Sequence, residues 1–124
     1  MNSVILSGRI TRDPEVKQTQ SQMSVARFNI AIDRGKDKNG EPRGADFPSI
    51  LAFGKTAELV GRYGFKGQLV AVQGRIQTGS YDKDGSKVYT TDVVADRVEF
   101  LEWRSKEEND APEGFSKLEE RIPF

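Results

Sequence analysis

Three features of this sequence predict an all-β fold, a five-stranded Greek-key barrel with one short helix between its third and fourth strands. Apolar residues recur at alternate positions in five separate stretches. The turn dipeptides Asp13-Pro14, Asn39-Gly40 and Asp84-Gly85 fall between stretches. Only Thr56 to Tyr63 follows a helical spacing. An all-β chain must close or cover its sheet edges, and a barrel closes them.

The first strand spans about Asn2 to Thr11. Val4, Leu6 and Ile10 share a face with Gly8, and Ser3, Ile5, Ser7 and Arg9 point the other way. The second runs from Met23 to Asp33, with Ala26, Phe28, Ile30 and Ile32 opposite Arg27, Asn29 and Asp33. A polar arm, Arg34 to Gly44, leads to a third strand from Ala45 to Phe53. Gly54 breaks that strand, and the helix follows with Ala57, Val60 and Tyr63 on one side and Gly64 as its stop. The fourth strand, Gln68 to Thr78, turns Val70, Val72 and Ile76 inward around Gly74, a residue suited to a bend. The last, Lys87 to Trp103, alternates imperfectly and predicts a bulge near Ala95-Asp96. This order matches the oligonucleotide/oligosaccharide-binding (OB) fold. An immunoglobulin-like sandwich needs seven strands, which are hard to fit around a helix in this length.

A length of 124 residues fits one domain. The chain has no cysteine and no histidine, which removes disulfides, thiolate or imidazole metal sites and imidazole acid–base chemistry. No apolar run is long enough to span a membrane, and no signal peptide is apparent, so the expected location is the cytoplasm. Hydrophobic content is low at 35%, and residues 105–124 account for much of that. They hold six acids, three bases and two prolines without periodicity, and read as a disordered acidic tail with an Ile122-Pro123-Phe124 tip. Residues 1–104 form the folded body. The formal net charge of zero divides along that line: the body carries 16 bases against 13 acids, and the tail carries the compensating excess of acids.

Phe47 and Phe53 are six residues apart, so a regular strand puts both rings on one face with Ser49 and Leu51; Pro48, Ile50 and Ala52 take the other. Both faces are partly apolar, and alternation alone leaves open which is inside. Phenylalanine's usual burial favours the Phe47/Phe53 face as core; the alternative is an exposed platform on which nucleic-acid bases stack. In the hairpin Gly79 to Tyr89, Tyr81 sits among Lys83 and Lys87, either as a finger for a phosphate chain or as an ordinary polar hairpin. The arm carries Arg34, Lys36, Lys38 and Arg43 against Asp37 and Glu41. Lys55, Arg62, Lys66 and Arg75 are spread through the second half of the body, as a solvated surface or as a groove that tracks a phosphate backbone. The pairs Asp82/Asp84 and Asp92/Asp96 lack the partners of a catalytic or metal site, and no phosphate-binding glycine loop is present. A binding protein without cofactor or metal is expected, not an enzyme.

In combination, several blocks resemble the bacterial and phage single-stranded DNA-binding proteins (SSB). They are Val4-Ile5-Leu6-Ser7-Gly8-Arg9 with Asp13-Pro14-Glu15, Phe53-Gly54-Lys55-Thr56-Ala57-Glu58, Lys66-Gly67, Val72-Gln73-Gly74-Arg75-Ile76, and Tyr89-Thr90-Thr91-Asp92-Val93-Val94. The resemblance covers Asn2 to about Leu101. It implies an OB barrel assembled as a homotetramer, with Phe47, Phe53 and Tyr81 stacking on bases and Lys55 on phosphate. It thereby turns Pro48, Ile50 and Ala52 inward. Lys36, Lys38, Arg75, Lys83 and Lys87 are further candidates for phosphate contacts. The resemblance also implies that Ile122, Pro123 and Phe124 dock replication, recombination and repair proteins.

Three departures stand out. Many relatives have an aromatic residue where this arm reads Arg34-Gly35-Lys36, and bases where it reads Gly79-Ser80. Arg121 interrupts the acids before the tip. Two other readings remain: a primosomal-type protein adaptor, and a small OB-fold nuclease, which would need clustered carboxylates. Trp103 is expected on the barrel or at a subunit contact.

Overall fold

The structure is a computed structural model that describes residues 1–103. The expected disordered tail and its Ile122-Pro123-Phe124 tip lie outside the described residues. The elements are β1 (Val4–Ile10), β2 (Glu15–Gln18), β3 (Ser24–Asp33), β4 (Ala45–Asp46), β5 (Ser49–Phe53), α1 (Gly54–Tyr63), β6 (Leu69–Lys83) and β7 (Ser86–Phe100).

Five of the strands form a closed ring. β1 pairs β6, β6 pairs β7, β7 runs parallel to β5, β5 pairs β3, and β3 returns to β1. β1 closes the ring by dividing its length: Val4 to Arg9 lie along β6, and Arg9 and Ile10 also face Ala31 and Ile30 of β3. At Gly8 the two neighbouring strands converge, and a side chain there would run into the Ala31 carbonyl. β6 and β7 shift register between Gln73 and Gly74, leaving Asp96 without a partner. This is the bulge expected near Ala95-Asp96, and a methyl group on Gly74 would strike the Val94 carbonyl.

The inward residues form one cluster: Ile10, Ala26, Phe28, Ile30, Ile50, Ala52, Val70, Val72, Val93 and Ala95, closed at one end by Ala57 and Val60 of α1. Three details depart from expectation. β2 pairs β3 through Glu15 to Gln18 and is exposed on both faces, so it carries no apolar alternation. The helix begins at Gly54, two residues early. Ile76 is exposed although its partner Val93 is in the core, because β1 flanks β6 only as far as Gly74. That hairpin turns on Asp84 and Gly85, both at positive φ, as a two-residue type I′ loop requires.

Beyond α1, Gln68 is fully buried and fully engaged. Its amide nitrogen donates to the Tyr63 and Glu102 carbonyls, at 3.2 and 2.7 Å, and its oxygen accepts from the Phe65 N–H. Arg9 adds a forked pair of bonds to the Glu102 carboxylate, at 2.8 and 3.1 Å. Trp103 packs on the barrel end as expected, its ring 5.2 Å from Tyr63 and 5.4 Å from Phe100.

The Arg9 hydrogen bond holds the Glu102 carboxyl below its ordinary value; desolvation opposes the shift and the Leu69 N–H assists it. A carboxyl depressed in the folded state stabilises the fold above its unfolded pKa of about 4.3, and that contribution is lost as pH falls through the folded value. Thermal melts of wild type and Glu102→Gln should therefore differ most above about pH 5 and converge as pH falls through the depressed folded value.

Candidate single-strand interface

β3, β5, β7 and β6 lie side by side, and register partners point to the same side of the sheet. Arg27, Leu51, Val94 and Arg75 thus form one outward row, and Asn29, Ser49, Asp92 and Gln77 the next. Phe53 stands opposite Val25. Phe47 belongs to the same face: the pairing of Ile32 with Asp46 and of Asn29 with Ser49 keeps one register across the gap between β4 and β5. The gap arises because Pro48 has no N–H to give to the ladder. Its carbonyl still accepts from Ile30, and the Asn29 side-chain amide donates to the carbonyls of both Phe47 and Pro48.

The question left open by alternation is thereby answered. Ile50 and Ala52 are in the core and Pro48 is half-buried; Phe47 and Phe53 face outward, 61% and 38% exposed. Between them Leu51 and Val94 are 8% and 3% exposed, yet belong to no part of the inner cluster. The result is a closely packed apolar centre to this row, its floor, with a guanidinium at each end.

Lys55 lies two residues after Phe53, in the first turn of α1. That helix has no side-chain cap on its first N–H groups and no acid in its first turn. A lysine there opposes the helix dipole at a cost of about 0.3–1 kcal/mol, so the arrangement favours a bound anion over stability.

Tyr81, 53% exposed, lies on the same side as Arg75 but six residues farther along β6, about 20 Å away. Lys83 shares that side, whereas Lys87 falls on the reverse of the hairpin with the exposed Tyr89. Lys36 and Lys38 lie in the arm, where Lys36 bridges to Pro42 and Asp37 caps the Asn39 and Glu41 N–H groups. Arg34 is bound to Asp46 and holds that carboxyl below its usual range. Lys36, Lys38, Lys55, Lys83 and Lys87 are exposed and form no ion pair among the described residues. The structure therefore gathers Phe47, Phe53, Lys55 and Arg75 on or beside one face, with Tyr81 and Lys83 on its extension.

Arg27, Asn29 and Asp92 also shape this face, and nothing in the sequence alone marks them as site residues. The polar alternation of Arg27 and Asn29 was legible, but it acquires meaning only once β3 is known to lie against β5. Among the described residues, no group of three or more Asp or Glu side chains is placed to hold a metal.

Residues 1–101 match the model of the single-strand binding protein family. The single-stranded DNA-binding protein 3 of Clostridium acetobutylicum is 50% identical over 111 residues, which cover 88% of this chain and 76% of that protein. The single-stranded DNA-binding protein of Clostridium tetani is 46% identical over 96% of this chain and 82% of its own length. A Plasmodium falciparum SSB in complex with ssDNA superposes with a TM-score of 0.75 over 82% of this chain and 96% of its own, at 23% identity, a likeness of fold. With the closed five-stranded barrel, these matches establish that the chain belongs to the single-strand binding protein family.

Proposed function

We propose that this chain binds single-stranded DNA without sequence preference, acting as a binding protein and not as an enzyme. The observation that carries the reading is the outward side of the β4–β5 segment, where Phe47 and Phe53 remain exposed while Ile50 and Ala52 on its other side are in the core. Every base has a π-face, so stacking on these rings tolerates any sequence. Tyr81 on the hairpin extends the stacking path. Lys55 beside the uncapped helix end, Arg75 and Lys83 on the same side, Lys36 and Lys38 in the arm, and Lys87 where a strand wraps to the reverse of the hairpin take phosphates.

Assembly as a homotetramer fits the apolar surface left outside that face. Ile5 is exposed on β1 beside a shallow groove lined by Ala71, Gln73, Arg97 and Glu99, and Ile76 and Tyr89 are exposed on the reverse of the hairpin. Four bodies, each with a small basic excess, would also sum their fields over one DNA strand. Ile122, Pro123 and Phe124 are proposed to recruit replication, recombination and repair proteins, with apolar side chains entering a pocket and neighbouring acids meeting basic residues. The expected setting is the cytoplasm; no helix among the described residues is long and apolar enough to cross a membrane.

Titration with labelled poly-dT at low salt tests the reading: tight binding is expected, and its absence refutes it. Each ring is worth about 1–3 kcal/mol per base, so Phe47→Ala with Phe53→Ala should weaken binding by at least about thirtyfold while circular dichroism stays native. Lys55→Glu should weaken binding without lowering the melting temperature, since an acid at a helix start suits the dipole. Removing residues 122–124 should leave poly-dT affinity intact and abolish capture of replication and repair proteins; unchanged capture refutes the docking role.

A further inference from the structure

Both arginines on the outer face are already engaged by carboxylates. Arg27 Nη1 lies 3.4 Å from Asp92 Oδ1 and donates to Ser49 Oγ at 3.0 Å. The Asp92 side chain is only 17% exposed, so it is held close to the sheet. Arg75 Nη1 lies 3.6 Å from Asp96, the residue extruded by the bulge. Glu15 stands opposite Arg27 on β2 but is not within ion-pair distance. The two arginines occupy the ends of the row whose middle is Leu51 and Val94, so they flank the floor on which a strand would lie.

A phosphate that takes Arg27 must compete with Asp92, and the same holds for Arg75 and Asp96. Before DNA arrives, the carboxylate acts as the arginine's counterion. Engagement by phosphate then releases fewer solution ions than a free guanidinium would, and leaves a negative group beside the DNA. Resting on the proposed single-strand binding, we infer that Asp92 and Asp96 are affinity-limiting residues: they hold Arg27 and Arg75 in reserve and lower both the affinity for single-stranded DNA and its dependence on salt. The device keeps a coating protein removable, because the face can recapture its arginines as each phosphate leaves.

The test is poly-dT binding across a salt series, by fluorescence anisotropy on the full chain, with thermal melts as a folding control. Asp92→Asn should tighten low-salt binding by about two- to fivefold, the range of an exposed ion pair. The slope of log affinity against log salt should steepen by about 0.7, one additional phosphate contact on a single strand. Arg27→Gln alone should have a small effect, and added to Asp92→Asn it should erase the gain. Asp96→Asn provides a second, exposed pair should Asp92→Asn fail to fold, and adding Arg75→Gln to it should erase its gain. Unchanged or weaker binding by folded Asp92→Asn or Asp96→Asn overturns the inference. So does a gain that survives loss of the arginine, which would mark a general charge effect. If the wild type itself does not bind poly-dT, the underlying function falls with it; if the wild type binds and the variants do not gain, only this inference falls.

Discussion

Ring closure through β1 is the constraint on which the rest of the molecule depends. An open five-stranded sheet would expose two edges of unpaired backbone groups. Here β1 satisfies both by pairing β6 along its length and β3 at its end, and Gly8 admits the close approach this needs. Closure divides every residue of the ring strands into inside and outside. The inside is small, and Ile30, Ile50, Val70 and Val72 fill it with α1 across one end. Large apolar residues of odd register are therefore forced outward, and Phe47 and Phe53 are among them.

The outer face shows local preferences set against stability. Two phenylalanine rings remain partly in water, a lysine occupies the wrong end of a helix, and arginines sit over an apolar floor. Each is a small unfavourable choice in isolation, and all of them fall on or beside one surface. Clustered departures of this kind mark functional sites in otherwise consistent sequences. Pro48 contributes in a less visible way. It interrupts the β4–β5 ladder, and Asn29 spans the interruption, so the backbone beneath Phe47 is fixed by a side chain and not by the strand alone.

Much of this was legible in the sequence. Alternation located all five ring strands, and Asp84-Gly85 located the hairpin turn, because burial on one face and positive φ at a tight turn each leave a residue-level signature. The resemblance, not the alternation, turned the Phe47 face outward. β2 left no trace, since a strand exposed on both faces needs no periodicity. The spacing of Ile76 predicts an inward side chain but cannot reveal that its strand loses its β1 neighbour beyond Gly74. The pairing of Arg27 with Asp92 joins residues far apart in the chain and depends on the parallel contact of β5 with β7.

Gln68 bears on how the molecule withstands a mechanical load. The chain continues beyond Trp103, and anything that holds the residues after it pulls on Glu102 and Trp103. There the main chain is tied through Gln68 to the end of α1, the Glu102 carboxylate is gripped by Arg9 of β1, and the indole is wedged against Tyr63 and Phe100. Traction thus enters at one end of the barrel, where β7 leads into it and β1, β6 and the helix end share the load. A pull on the continuing chain meets several elements at once instead of peeling the end of β7 from its neighbours.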